Sequence, residues 1–315
     1  MDLLKKTALA VLFLFTAACL GFLYYTQSPN LSEIEHKYFL TTDKIVNVDG
    51  ANVRVREEGP EEGPVLLLIH GYTASLESWD GWAKNLSPEF KVIRYDLLGH
   101  GLTGPDPKKR YSPFERSEFL LKLINQLGLK KITLAGNSLG GLVAWRFTSQ
   151  NPNRVNKLIL VSSGAYSING VKDTPVDVPD ALAQYLKYAP PAGVKFVLKG
   201  LFSNPEQLTD ERVSSYRDMM ALEGNGQAFI EHIEEFVLPN PKEELLKIKA
   251  PTLIIWGQND KAIPVEQAGW LNETIENSEL IVLENMGHMP QEEAPDMTAG
   301  IVLKFLKDSQ LDYTP

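Results

Sequence analysis

Cysteine is almost missing from this 315-residue chain: Cys19 is its only one, which excludes an intrachain disulfide framework and any zinc site built on several thiolates. The fold must hold by packing. Basic side chains are outnumbered, 31 against 40 acidic ones for a net charge of −9, so a broad grip on nucleic-acid phosphates is disfavoured. There is no glycine-rich phosphate loop, HExxH metal motif or EF-hand loop, and beyond residue 30 no internal repeat or low-complexity tract. Neither a metal nor an organic cofactor is called for. What remains is 43% hydrophobic, 23% charged and 9% aromatic, the composition of a globular chain with a sizeable core.

Thr7 to Tyr25 (TALAVLFLFTAACLGFLYY) runs without a charge, and as a helix it would span roughly 28 Å, close to the hydrocarbon thickness of a bilayer. Lys5 and Lys6 precede it and no Lys or Arg follows until Lys37, so the positive-inside bias leaves the amino terminus cytoplasmic and the rest of the chain outside. Tyr24 and Tyr25 fall where an interfacial aromatic belt is expected. Residues 1–30 are thus expected to be a membrane anchor. Cleavage near Thr16-Ala17-Ala18, or acylation of Cys19 as a lipoprotein signal, are the alternatives. All three export the remainder, tethered to the cell envelope or, if the leader is cleaved, secreted.

From residue 45 the pattern turns to short β-rich runs. Ile45–Val48 and Asn52–Arg56 flank Asp49-Gly50, a hairpin signal. Val65–Ile69, Lys91–Tyr95, Ile132–Ala135, Leu158–Val161, Leu253–Trp256 and Leu280–Leu283 are apolar runs of strand length, as in a parallel sheet covered on both faces. Ser112-Pro113-Phe114-Glu115 offers an N-cap, a first-turn proline and a capping-box glutamate for a helix that should stop at Gly128, and Asn240-Pro241-Lys242-Glu243 repeats the device. Strands alternating with helices predict an α/β fold with a mostly parallel sheet. From Gly164 to about Lys247 the rhythm breaks. Helical stretches at Asp180–Tyr188, Val194–Leu201 and Arg212–Leu222, the last broken by Gly224 and Gly226, predict an inserted helical cap over 164–247, between core segments 31–163 and 248–315.

Gly136-Asn137-Ser138-Leu139-Gly140 follows the strand-like KITLA and precedes the helical GLVAWRF, the context a G-x-S-x-G elbow requires. A serine on such a turn projects its hydroxyl, and the flanking glycines remove side chains that would collide with the neighbouring strand and helix. On these residues the chain resembles the α/β-hydrolases, in particular the serine esterase and lipase branch with a helical cap, over about residues 45–308. The resemblance implies the chain order Ser, acid, His, each at the carboxyl end of a strand.

Serine needs an imidazole to take its proton and a carboxylate to orient that imidazole. Of the five histidines, His288 in Gly287-His288-Met289-Pro290 holds the position the family uses, with Glu292 and Pro295 following in a GHxPxxExP arrangement. Asp260, after Trp256-Gly257-Gln258-Asn259, holds the usual seat of the acid. His70-Gly71-Tyr72 resembles the family's HG-x turn, which makes the backbone N–H groups of Tyr72 and Leu139 the expected oxyanion donors. Asp96 in Asp96-Leu97-Leu98-Gly99-His100-Gly101, and His70 itself, are expected to order their turns rather than to take part in chemistry. The resemblance, with the expected export and apolar cap, points to small lipids or medium-chain esters as substrates. Carbon–carbon bond hydrolysis of the meta-cleavage type is the enzymatic alternative, and a receptor that retains the three residues for binding is the non-enzymatic one.

Overall fold

The computed structural model describes residues 28–308 except 169, 170 and 172. The expected membrane or signal segment, with Cys19, lies outside the described residues. Among the described residues no helix is long and apolar enough to cross a membrane.

In chain order the elements are α1 (Leu31–Tyr38), β1 (Asp43–Val48), β2 (Ala51–Glu58), β3 (Val65–Ile69), α2 (Asp80–Leu86), β4 (Lys91–Tyr95), α3 (Pro113–Gln126), β5 (Ile132–Asn137), α4 (Leu139–Gln150) and β6 (Val155–Val161). Four helices follow, α5 (Asp180–Tyr188), α6 (Pro191–Leu201), α7 (Asp210–Met220) and α8 (Asn225–Glu235). The chain then continues through α9 (Lys242–Leu245), β7 (Thr252–Gly257), α10 (Glu266–Thr274), β8 (Ser278–Leu283), α11 (Pro290–Glu293) and α12 (Pro295–Lys307).

The strands form one sheet in the order β1-β2-β4-β3-β5-β6-β7-β8. β2 runs against both of its neighbours, and every pairing from β4 onward is parallel. Alternation along β3 explains why the sheet is covered on both sides. Leu67 and Ile69 join a core with α3, α4 and α10, while Leu66 and Leu68 join a second core with α2 and α12. β8 departs from the expected two-sided burial: it is the edge strand, and only Leu283 in it is fully buried.

The helix starts follow local chemistry. Ser112 accepts from the Glu115 N–H while the Glu115 carboxylate accepts from the Ser112 N–H, with Pro113 in the first turn. Gly128 follows the helix at φ +69°. The expected repeat of this device at Asn240 does not form. Asn240 Oδ1 accepts from the Lys242 N–H in an Asx turn, and the helix begins at Lys242 without a reciprocal glutamate.

Between β6 and β7 the chain inserts its four consecutive helices, and here one expectation is corrected. The break expected at Gly224 is present, between the end of α7 at Met220 and the start of α8 at Asn225, but Gly226 breaks no helix. Gly224, at φ +84°, is the N-cap of α8, and Gly226 lies inside that helix where a Cβ would come within 2.6 Å of the Lys187 Cα on α5. Glycine is there because α5 and α8 pass too closely for a side chain. The inserted helices share an apolar cluster of their own, including Leu186, Val194, Leu198, Val213 and Phe229, and it reaches Ala74 and Met289 of the core.

His36 lies on α1, which is docked rather than peripheral. Ile34 packs against Met219 and Leu222, and both Lys37 Nζ and Tyr38 Oη donate to Asp218 Oδ2 at 2.9 Å. The Tyr38 carbonyl accepts from Arg54 and Arg56, buried guanidinium groups that also pair with Asp43 and Glu77.

Candidate active site

β5 delivers Ser138 to the carboxyl edge of the sheet on a strained turn, φ +54° and ψ −116°, a conformation that costs a non-glycine residue about 1–3 kcal/mol. The flanking glycines have the expected reason. A Cβ on Gly136 would overlap the Gly140 carbonyl, and one on Gly140 would overlap the carbonyl of Ile69 at the end of β3. Ser138 N–H donates to the Val161 carbonyl at 3.1 Å, and the Ser138 carbonyl accepts from Leu142 and Gly164, so the turn is tied to β6 and to the first turn of α4.

Asp260 follows β7 and His288 follows β8. His288 Nδ1 lies 2.8 Å from Asp260 Oδ2. A carboxylate can only accept, so the proton sits on Nδ1 and leaves the Nε2 lone pair available. The other oxygen, Oδ1, accepts from the N–H groups of Ala262 and Ile263 at 2.8 and 2.9 Å. The carboxylate is therefore fixed in rotation. The elbow and the histidine loop are linked directly: Asn137 Nδ2 donates to the His288 carbonyl at 3.2 Å and to the Val161 carbonyl at 3.1 Å. The structure thus gathers the loops of Ser138, Asp260 and His288 at one edge of the sheet.

The turn after β3 packs against the same elbow. A Cβ on Gly71 would lie 3.3 Å from the Ser138 Cβ, so the turn that carries Tyr72 passes against the elbow. Leu139 is the first residue of α4, so its N–H has no partner within the helix. His70 holds the turn as expected. Its Nε2 accepts from Leu97 N–H at 2.9 Å, so Nδ1–H donates to the Gly71 carbonyl, and burial lowers its pKa to about 4. Asp96 likewise accepts from the N–H groups of Leu76 and Leu102 and faces Arg54. Burial raises its pKa to about 6.

Two positions do more than the sequence reading assigned. Counted from Gly287, the GHxPxxExP spacing falls on Glu293 and not on Glu292, and Glu293 is the glutamate that serves the histidine loop: it accepts from Gly287 N–H at 2.7 Å and from Ser203 N–H at 2.8 Å. Glu292 instead turns toward α7, pairing with Arg212 and accepting from Tyr216 Oη at 2.7 Å. Asn137 stood inside the elbow motif without an assigned role, and only the approach of the histidine loop gives it one.

The inserted helices reach the turns around the site. Tyr72 Oη donates to the Phe229 carbonyl of α8 at 2.8 Å, and Val194, Leu198, Phe202, Val213, Tyr216 and Met220 cluster with Ala74 and Met289, neighbours of the Tyr72 turn and of His288. Open grooves of about 700 and 830 Å³ run along α1 and α7, and neither is lined by Ser138 or His288. Among the described residues no group of three or more His, Cys, Asp or Glu could hold a metal ion.

The family profile described as the alpha/beta hydrolase fold matches residues 64–295. This chain is a member of the alpha/beta hydrolase family. It is 27% identical over 279 residues, 84% of its own length and 96% of the relative's, to the 2-hydroxy-6-oxononadienedioate/2-hydroxy-6-oxononatrienedioate hydrolase of Escherichia coli (strain K12 / DH10B). Among solved structures, a membrane phospholipase A described as a bacterial virulence factor superposes with a TM-score of 0.72 at 24% identity, covering 96% of this chain and 98% of that one. A protein of Acinetobacter baumannii AYE provisionally named a lipase gives a TM-score of 0.72 at 27% identity, covering 89% and 96%. The likeness to the phospholipase establishes the fold, and the family places the chain among hydrolases.

Proposed function

We propose that this hydrolase cleaves carboxylic esters of small lipids or medium-chain acids, with Ser138 as nucleophile, His288 as base and Asp260 as the carboxylate that orients it. The observation that carries the reading is the hydrogen bond from His288 Nδ1–H to a doubly anchored Asp260, in a loop that Asn137 ties to the strained elbow of Ser138. Ser138 Oγ attacks the ester carbonyl while His288 Nε2 takes its proton. The N–H groups of Tyr72 and Leu139 donate to the oxyanion, each contributing on the order of 3 kcal/mol in a dry site. His288 returns the proton to the departing alcohol. Water, activated by the same imidazole, then splits the acyl-enzyme and frees Ser138.

The ester is supported by the apolar character of the inserted helices, whose aliphatic and aromatic cluster reaches Ala74 and Met289 beside the Tyr72 turn and His288, surroundings that suit an acyl chain. The apolar run Thr7–Tyr25 supports tethering to a membrane with the catalytic domain outside the cytoplasm. A second reading, hydrolysis of a carbon–carbon bond in a vinylogous diketo acid, is supported by the 27% identity to the dienedioate hydrolase.

One experiment separates the readings. Turnover of p-nitrophenyl esters of graded acyl length is measured beside turnover of a ring-fission diketo acid, before and after labelling with a fluorophosphonate. Ester turnover that peaks at medium chain length and is lost on labelling of Ser138 is the expected result. Turnover of the diketo acid alone moves the assignment to carbon–carbon cleavage. Labelling without turnover of either substrate makes the protein a binder.

A further inference from the structure

α6 is apolar on both of its faces. Its inner positions, Val194 and Leu198, are buried in the cluster that the inserted helices share with Ala74 and Met289. Its outer positions hold Phe196 and Val197, and Phe196 is 79% exposed, the most exposed large hydrophobic residue described. The helix carries two lysines, Lys195 and Lys199, and no carboxylate. One turn apart, the lysines form a row beside Phe196, with Lys195 also reaching Asp210 on α7 at 2.6 Å. An exposed aromatic flanked by long cationic side chains is how a helix lies at a lipid headgroup boundary.

The place where the chain enters the fold supplies an independent argument. Ser28, Pro29 and Asn30 line the same groove, about 830 Å³, as Pro191, the first residue of α6. The uncharged run ends at Tyr25, three residues before Ser28, and three residues reach at most about 11 Å. A bilayer holding Thr7–Tyr25 would therefore have its surface close to the start of α6.

We propose that the outer face of α6, centred on Phe196 and Val197 and flanked by Lys195 and Lys199, is a second membrane contact that seats the cap on an anionic lipid surface. The proposal rests on the reading of Thr7–Tyr25 as an anchor. It also gives α6 a double attachment: one end approaches the bilayer, and the Leu201 carbonyl at the other end accepts the N–H of His288 at 2.7 Å.

The test uses the full chain with Cys19→Ala, carrying either Phe196→Cys or, as a reference, Leu246→Cys, each labelled with the environment-sensitive fluorophore NBD. Leu246 is exposed too, but lies just after α9. Each protein is incorporated into vesicles of equal parts phosphatidylglycerol and phosphatidylcholine, with and without lipid bearing a spin label on its acyl chain. Co-flotation with the vesicles and NBD quenching are read on the same samples. The expected result is flotation of both proteins, with a blue shift and about twofold quenching at position 196 and neither at 246, as for a side chain at the acyl boundary. Flotation with position 196 as wet as 246, or with both quenched alike, overturns the α6 contact and leaves the anchor standing. Failure to float overturns the anchor and the α6 contact together.

Discussion

The N–H of His288 donates to the carbonyl of Leu201, joining the loop that holds the imidazole to the last residue of an inserted helix. Glu293 doubles this link by accepting from Gly287 and Ser203, and Asn259 Nδ2 adds a bond to Ser203 Oγ at 2.8 Å. Hydrogen bonds to a charged acceptor contribute about 1.5–3 kcal/mol each. Glu293→Ala is therefore expected to lower stability by about 2–4 kcal/mol and to lower kcat more than it raises KM. Glu293→Gln, which keeps one acceptor oxygen, should recover part of both. Urea unfolding and steady-state ester kinetics on the two variants check this, and equal losses in both would remove Glu293 as a positioning residue.

Replacement of Ser138 distinguishes chemistry from backbone strain. Ser138→Ala should lose ester turnover by about 10³-fold or more, as removal of a nucleophile does, while keeping wild-type stability because alanine inherits the same φ. Ser138→Gly should be equally inactive but melt higher, since relief of about 1–3 kcal/mol of strain exceeds the extra freedom of glycine in the unfolded chain. Calorimetric melting of both variants beside wild type is the measurement.

Asp260→Asn should cost on the order of 10⁴-fold in kcat, because an amide that presents its N–H₂ to His288 favours the wrong tautomer. Its Oδ1 equivalent can still accept from Ala262 and Ile263, so circular dichroism should show an unchanged fold. Activity within tenfold of wild type would assign the acid elsewhere.

Acid should unfold the protein from within. Burial lowers the pKa of His70 to about 4 and of His232 to about 3, and holds His100 well below its ordinary value. The unfolded chain takes up these protons first, so stability is lost as pH falls below about 6.5, on the order of 2 kcal/mol per histidine by pH 5. Asp96, raised to about 6, acts in the opposite sense and offsets part of the loss. His232→Gln keeps a donor for the Tyr111 carbonyl that His232 Nδ1 meets at 2.9 Å. Its urea midpoint should fall less between pH 7 and pH 5 than that of wild type.

Two glycine substitutions should act with opposite sign. Gly140→Ala forces a methyl group into the Ile69 carbonyl and should prevent accumulation of folded protein. Gly300→Ala lies on α12 with nothing within 4 Å of the new Cβ and should stabilise by about 0.5–1 kcal/mol. Soluble yield for the first and melting temperature for the second decide the matter.

Much of this architecture is legible in the sequence where one physical cause dominates. Buried parallel strands are continuous apolar runs bounded by breakers, and Val65–Ile69 and Lys91–Tyr95 match residue for residue. The elbow is legible because both of its glycines answer to steric overlap within a few residues of chain. α8 was obscured because glycine has two uses: Gly226 reads as a breaker, yet close packing on α5 requires it. The docking of α1 depends on Asp218, some 180 residues away, and the bond from Asn137 to the His288 carbonyl crosses half the chain. Neither leaves a local pattern.

The Tyr38 carbonyl, shared by Arg54 and Arg56, sets a limit on how far the chain can be shortened from its amino-terminal side. A protease acting just before Asn30 would leave that carbonyl in place. A cut only a dozen residues later would strip two sequestered guanidinium groups of an acceptor and remove the packing of Ile34. The first helix is thus the outermost part of the chain that the folded domain depends on.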